Sequence, residues 1–152
     1  MLFRSLAEVA AERCAACGIC AGACPSSTPF RNLRELVSGI ELPDLTVNEL
    51  RLRLQAALAA QPETVTFYCE QNSATKRAGI ALRCLGMLPP SFVEYALRHG
   101  ARRVKALGCT GECAYRLGLD LSDERFSHAR EPHLRPGVLA TKAGHEYTFA
   151  LR

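Results

Sequence analysis

Four cysteines crowded between positions 14 and 24 constrain this chain more than any other feature. The stretch reads Cys14-Ala15-Ala16-Cys17-Gly18-Ile19-Cys20-Ala21-Gly22-Ala23-Cys24-Pro25, a C-x2-C-x2-C-x3-C-P spacing. That spacing is the one that holds [4Fe–4S] clusters. Gaps of two residues let a tight loop wrap a cubane and aim three thiolates at three irons. Gly18 and Gly22 remove side chains where backbone must pass close to inorganic sulfide. Pro25 ends the loop by fixing φ and withholding a donor. A zinc site would show two separated C-x2-C pairs instead of three evenly spaced cysteines and a fourth. A disulfide framework belongs to small secreted chains, and the N-terminus Met1-Leu2-Phe3-Arg4-Ser5 does not read as a signal peptide or lipidation site. Cys14, Cys17, Cys20 and Cys24 are therefore read as ligands of a [4Fe–4S] cluster.

The other four of the eight cysteines lie far apart, and composition frames them. With 152 residues, 48% hydrophobic, the chain can build one or two small cores, and no apolar run is long enough to span a membrane. The net charge of +4 comes from scattered arginines, a solvated surface or a docking face for an acidic partner. Nothing resembles a nucleic-acid motif. Cysteine-rich and without a signal, the chain is expected in a reducing cytoplasm, with membrane association only through a partner.

Along the chain, Leu6, Val9 and Ala10 predict a short helix over 4–12 leading into Cys14, and Leu33, Leu36 and Val37 another over 30–37. Ser26-Ser27-Thr28-Pro29 reads as a turn between them. Thr46 or Asn48 caps a third helix running to about Ala60, with Leu50, Leu54, Ala57 and Leu58 on one face. Gln61-Pro62-Glu63 breaks it and sets a domain boundary, giving segments 1–62 and 63–152. Then come β-type runs at 65–68, 80–83 and 104–107, a helix at 92–99 stopped by Gly100, a helical turn at 113–118, a polar excursion over 120–137 and a last strand at 147–151. Strand, helix and strand in succession predict an α/β fold: a small parallel sheet with flanking helices, preceded by a helical cluster-binding segment. The first crossover, ten residues between Cys69 and Ile80, is short for a parallel connection.

Cys69, Cys84 and Cys109 each follow a β run. In an open parallel sheet the carboxyl ends of the strands lie along one edge, so these three should converge, with Cys113 adding a fourth thiolate. Val65, Phe67, Leu82 and Leu107 should lie beneath, and Cys113 should open a helix. Zinc, [2Fe–2S] and [4Fe–4S] all accept four thiolates, and spacing does not choose among them.

Residues 65–118 resemble the iron–sulfur (delta) subunit of methyl-viologen-reducing hydrogenase. The resembling residues are Phe67-Tyr68-Cys69, Cys84-Leu85-Gly86, the run from Phe92 to Ala101, and the run from Val104 through Gly108-Cys109-Thr110-Gly111-Glu112-Cys113 to Gly118. The resemblance implies an α/β domain carrying a [2Fe–2S] cluster on Cys69, Cys84, Cys109 and Cys113. With the first motif, the whole resembles bacterial proteins that fuse a ferredoxin-type segment to such a domain. The chain departs from the family at two places. Asn72 stands where a cysteine is usual, and Cys109 and Cys113 are separated by three residues where four are usual. In two-cluster ferredoxins the fourth cysteine of each run ligates the other cluster, which would make this chain the C-terminal portion of a longer fusion.

These features imply an electron-transfer subunit with no catalysis of its own. Its partner would be a hydrogenase, a flavin reductase or a membrane cytochrome. The sequence holds no P-loop, GxGxxG or Ser-His-Asp set, and His99, His128, His133 and His145 are dispersed. The alternatives are a zinc-stabilised interaction module without redox role, and thiol chemistry by Cys109 and Cys113.

Overall fold

The computed structural model describes residues 9–24, 42, 44–72, 79–115 and 117–152. The helix expected over 4–12 lies mostly outside them, with residues 11–13 forming a turn. The turn at Ser26–Pro29 and the helix expected over 30–37 lie wholly outside.

Among the described residues, nine elements and one 3₁₀ turn follow in order: α1 (Ile19–Ala23), α2 (Val47–Ala59), β1 (Thr64–Cys69), β2 (Ile80–Leu82), the 3₁₀ turn Leu85–Met87, α3 (Pro90–Arg98), β3 (Arg103–Leu107), α4 (Gly118–Phe126), β4 (Val138–Ala143) and β5 (Glu146–Leu151). The five strands form one sheet in the order β2-β1-β3-β5-β4. At its centre β1 runs parallel to β2, with Phe67 opposite Ile80, and parallel to β3, with Val65 opposite Val104. The parallel pairing of β1 and β2 forms despite the ten-residue connection.

Local chemistry accounts for the helices. Thr46 caps α2 by accepting from the Glu49 N–H at 3.1 Å, and Leu50 and Leu54 turn inward without exposure. Pro90 occupies the first turn of α3, where no N–H is needed, and Gly100 closes it at φ +110°. Phe92, Val93 and Ala96 of α3 pack with Val65, Phe67, Leu82, Leu54 and Phe149 in one apolar core. The expected base of the strand-end site, Val65, Phe67, Leu82 and Leu107, is buried.

Three expectations are corrected. The α/β fold forms with its sheet parallel at the centre, as expected, but the last strand, β5, runs antiparallel to β3 and forms a hairpin with β4, turning at Gly144 with φ +60°. β4 was not foreseen because only its first residue, Val138, is buried, so it carries no alternation to read. The excursion expected over 120–137 begins as helix α4. Its buried face is Gly118, Ser122, Arg125 and Phe126, mostly residues that no hydrophobic periodicity would report. Finally, α4 starts at Gly118, so Cys113 does not open it.

Candidate metal centre

Parallel strands bring their carboxyl ends to one edge, and here that edge collects sulfur. Cys69 ends β1, Cys84 follows β2 by two residues and Cys109 follows β3 by two. The Cys69 and Cys109 Sγ atoms stand 3.5 Å apart, and Cys69 Sγ also lies 3.6 Å from the Arg83 carbonyl. Cys113 lies close enough to Cys109 to act on it electrostatically, as Cys69 does. Cys84 and Cys113 both border Gly118: a methyl group there would fall 2.2 Å from Cys84 Sγ and 3.4 Å from Cys113 Sγ. The second cysteine set therefore forms one group. Cys69, Cys84 and Cys109 are buried and Cys113 half-buried.

The group is electrostatically tense. Burial pushes the Cys84 thiol up to about 12. The Gly86 N–H works against that, and the charges of Cys113, Cys69 and Cys17 add to it. Burial likewise pushes Cys109 up to about 12, with Cys69 and then Cys113 contributing. Metal-free, these thiols keep their protons. A bound metal would replace those protons as the group's source of positive charge.

Backbone and amide contacts fix the loop after β3. The Gly108 N–H donates to the His145 carbonyl at 2.8 Å, and the buried Asn72 donates its Nδ2–H to the Gly108 carbonyl at 2.6 Å. A Cβ at Gly108 would meet the end of Leu119 at 2.7 Å and the His145 carbonyl at 3.0 Å, so glycine eases the close approach of the loop to β5. Where the family resemblance leads one to expect a cysteine, Asn72 holds the neighbour of Cys109 in place.

The first cysteine set is more open. Cys14, Cys17 and Cys24 are half-buried and Cys20 is exposed. The Ala16 N–H donates to Cys14 Sγ at 3.3 Å, the kind of backbone-to-sulfur bond that a cluster loop uses. Ala16 at φ +53° and Gly18 at φ +75° turn the chain sharply before α1, which carries Cys20. The Cys20 thiol is raised, first by desolvation and then by the charges of Cys17 and Cys14, which places these three within electrostatic reach. Cys24 sits one helical turn further, at the C-cap of α1.

The two sets meet through glycines. A methyl at Gly22 of α1 would fall 2.1 Å from the Gly86 carbonyl. One at Gly86 would meet Ile19 at 3.0 Å and Gly118 at 3.2 Å. Gly22, Gly86 and Gly118 thus stack α1, the 3₁₀ turn and α4 at backbone distance, and Cys17 acts electrostatically on Cys84. Sequence reasoning missed Arg125, which donates from Nη1 to the Gly86 carbonyl at 2.6 Å and is 1% exposed. Nothing in its polar surroundings signalled a buried role.

His145 touches the second set only through its backbone at Gly108, and the other three histidines make their contacts elsewhere. His99 stacks on Tyr95 and binds its carbonyl at 2.8 Å, and His133 faces Glu131 at 2.8 Å with His128 beside it. Among the described residues, no three His, Cys, Asp or Glu side chains are gathered tightly enough to hold a single metal ion. No helix among them is long and apolar enough to cross a membrane.

The described residues thus form an α/β sheet with a group of thiols at the carboxyl edge of its parallel strands. Residues 70–138 match the family model for the delta subunit of methyl-viologen-reducing hydrogenase, which supports a hydrogenase delta-type domain over that span and, in general terms, a role in electron transfer beside protein partners. No curated protein and no solved structure matches the chain significantly.

Proposed function

We propose that the chain is an iron–sulfur electron-transfer module with two centres. Cys69, Cys84, Cys109 and Cys113 would hold a [2Fe–2S] cluster, and Cys14, Cys17 and Cys20, with Cys24 as the fourth thiolate of the motif, a [4Fe–4S] cluster. A bound iron–sulfur cluster supplies one-electron transfer.

The observation that carries this reading is the arrangement of the second set. Two thiolates on one tetrahedral metal with bonds of about 2.3 Å stand about 3.8 Å apart. Cys69 and Cys109 approach that spacing, while Cys84 and Cys113 share the wall at Gly118. Two pairs side by side suit two irons with two thiolates each better than one zinc ion. The surrounding residues fit the role. Phe67, Leu82 and Leu107 exclude water from beneath the sulfurs, and the Gly86 N–H reaches Cys84. The glycine stack packs the helix that carries Cys20 against the turn that follows Cys84, which suits passage of an electron between the two sets. Scattered surface arginines suit an acidic redox partner of the hydrogenase, flavin reductase or membrane cytochrome type.

The test is anaerobic reconstitution with iron and sulfide, followed by metal counting, visible absorption and electron paramagnetic resonance. About six irons per chain, split between two distinct signals, are expected. A colourless protein that retains zinc and rejects iron would replace this reading with the zinc-stabilised interaction module.

A further inference from the structure

Arg125 is among the largest fully buried side chains of the molecule. One of its nitrogens, Nη1, is taken by the Gly86 carbonyl. Its Nε and Nη2 are buried and have no hydrogen-bond partner among the described residues. The guanidinium lies at the glycine stack, since a methyl at Gly22 would come 2.6 Å from Nη1. The Gly86 carbonyl that it holds lies two residues from Cys84, which would be a thiolate once it held a metal, and the neighbouring carboxylate is Glu124. Glu124 is already paired with Arg130 at 2.9 Å, on the exposed side. A guanidinium keeps its charge, and a buried charge without a counter-ion is strongly destabilising. Such a group persists where something negative sits beside it. Among the described residues, the other acid at this junction is the Cys84 thiol, which borders Gly118 in the same glycine stack.

We propose that Arg125 is the buried counter-charge of the thiolate-held centre at Cys84 and, by favouring its more negative reduced form, raises that centre's reduction potential. The inference rests on the electron-transfer reading above. One electron added from an external reductant such as dithionite adds one negative charge to the centre, and Arg125 neither gives nor takes a proton. Its field therefore stabilises the reduced form more than the oxidised one. This makes Arg125 a positioning residue that tunes the site without ligating it.

The proposal predicts opposite effects on the two forms of the protein. Arg125→Met keeps volume and removes charge. In the metal-free chain it should raise the melting temperature, because an unpaired buried charge is gone. In the reconstituted chain it should lower the melting temperature and shift the midpoint of the [2Fe–2S] signal downward by at least tenfold in the oxidised-to-reduced ratio, about 59 mV for one electron. Arg125→Lys should stay near the unaltered potential. If Arg125→Met does not fold, Arg125→Gln, which keeps a donor for the Gly86 carbonyl without the charge, serves the same comparison. A merely structural arginine would give variants that lose stability equally with and without iron and titrate at the unaltered potential. That result overturns the inference while leaving the electron-transfer reading intact. Failure of the unaltered chain to take up iron and sulfide overturns both.

Discussion

Cys14, Cys17 and Cys20 stand on one short loop with its helix and remain half-buried or exposed, whereas Cys69 and Cys109 meet across 40 positions of sequence and are buried. The first set is built by local turns: Ala16 and Gly18 take left-handed conformations and the chain wraps on itself. The second is built by register, because β1, β2 and β3 must align in parallel before the sulfurs can meet. A local loop can lose its metal and leave the rest standing. A centre shared among three strand ends is part of what holds those strands at that edge. The two should therefore differ in how loss of a ligand spreads, and the following experiments break or sharpen that contrast.

The largest expected effect is at the second set. Cys109→Ala should abolish iron uptake there and lower the melting temperature of the reconstituted chain by about 5–10 °C, because metal binding is folding energy for a site assembled from distant strands. Cys17→Ser should remove the first centre's iron and leave the sheet's melting almost unchanged. Iron counts paired with circular-dichroism melts measure both. Equal melting losses in the two variants would erase the distinction between a local and a shared site.

Next in size are the glycines of the junction. Gly22→Ala places a methyl 2.1 Å from a backbone carbonyl, which cannot swing aside, and Gly118→Ala places one 2.2 Å from Cys84 Sγ. Each should cost about 1–3 kcal/mol by overpacking. Their signatures should diverge. Gly118→Ala displaces a ligand and weakens uptake at the second centre, whereas Gly22→Ala separates α1 from the 3₁₀ turn and leaves second-centre uptake near normal. Denaturant melts and separate spectroscopic titration of the two centres distinguish them, and identical spectra for the two variants would mean that the junction acts as one rigid block.

The same contrast explains what could be read in the sequence. The first cysteine set could be singled out because its spacing and its turns are both local. The parallel core was legible because Val65, Phe67, Leu82 and Val104 are β-type residues in short runs bounded by turn signals, and their strand ends pointed to one edge. The hairpin of β4 and β5 was half hidden, since β4 carries no alternation of buried and exposed residues. Helix α4 was hidden because, beside Phe126, what it buries is glycine, serine and an arginine, which fit against backbone and leave no apolar periodicity. Tertiary contacts at backbone distance leave almost no trace in a hydrophobic pattern. For that reason the sequence could propose two sulfur sites but not the glycine stack that joins them.

A pH titration sharpens the electrostatic side of the comparison with a smaller effect. Burial holds the Cys84 and Cys109 thiols at about 12, above the ordinary 9.0, so between these values the folded chain binds more protons than the unfolded one. The stability these thiols contribute is complete below pH 9 and is lost as pH climbs towards 12. The metal-free chain should therefore lose melting temperature across that window more steeply than Cys84→Ala does. The reconstituted chain, with thiolates already bound, should lack the added slope. Parallel curves for the metal-free chain and Cys84→Ala would show that Cys84 does not titrate as a buried thiol.

The smallest expected effect is at Asn72, where the chain departs from the family pattern. A cysteine there would be a fifth sulfur at the edge. The asparagine instead gives a 2.6 Å bond from Nδ2 to the Gly108 carbonyl and so fixes the residue before Cys109. Asn72→Ala leaves that buried carbonyl without this donor, at a cost of about 1–2 kcal/mol. The His145 carbonyl still holds the Gly108 N–H, so the loop should loosen without detaching. Iron uptake at the second centre should persist, with faster loss to a chelator than in the unaltered chain, because Cys109 is held less firmly opposite Cys69. Uptake at the first centre should be unaffected, since its cysteines are set by the turns of their own loop. Chelator-driven bleaching followed at each centre's own absorption measures both rates. If the two centres accelerate together, Asn72 supports the fold at large; if only the second does, it is the residue that holds Cys109 in register.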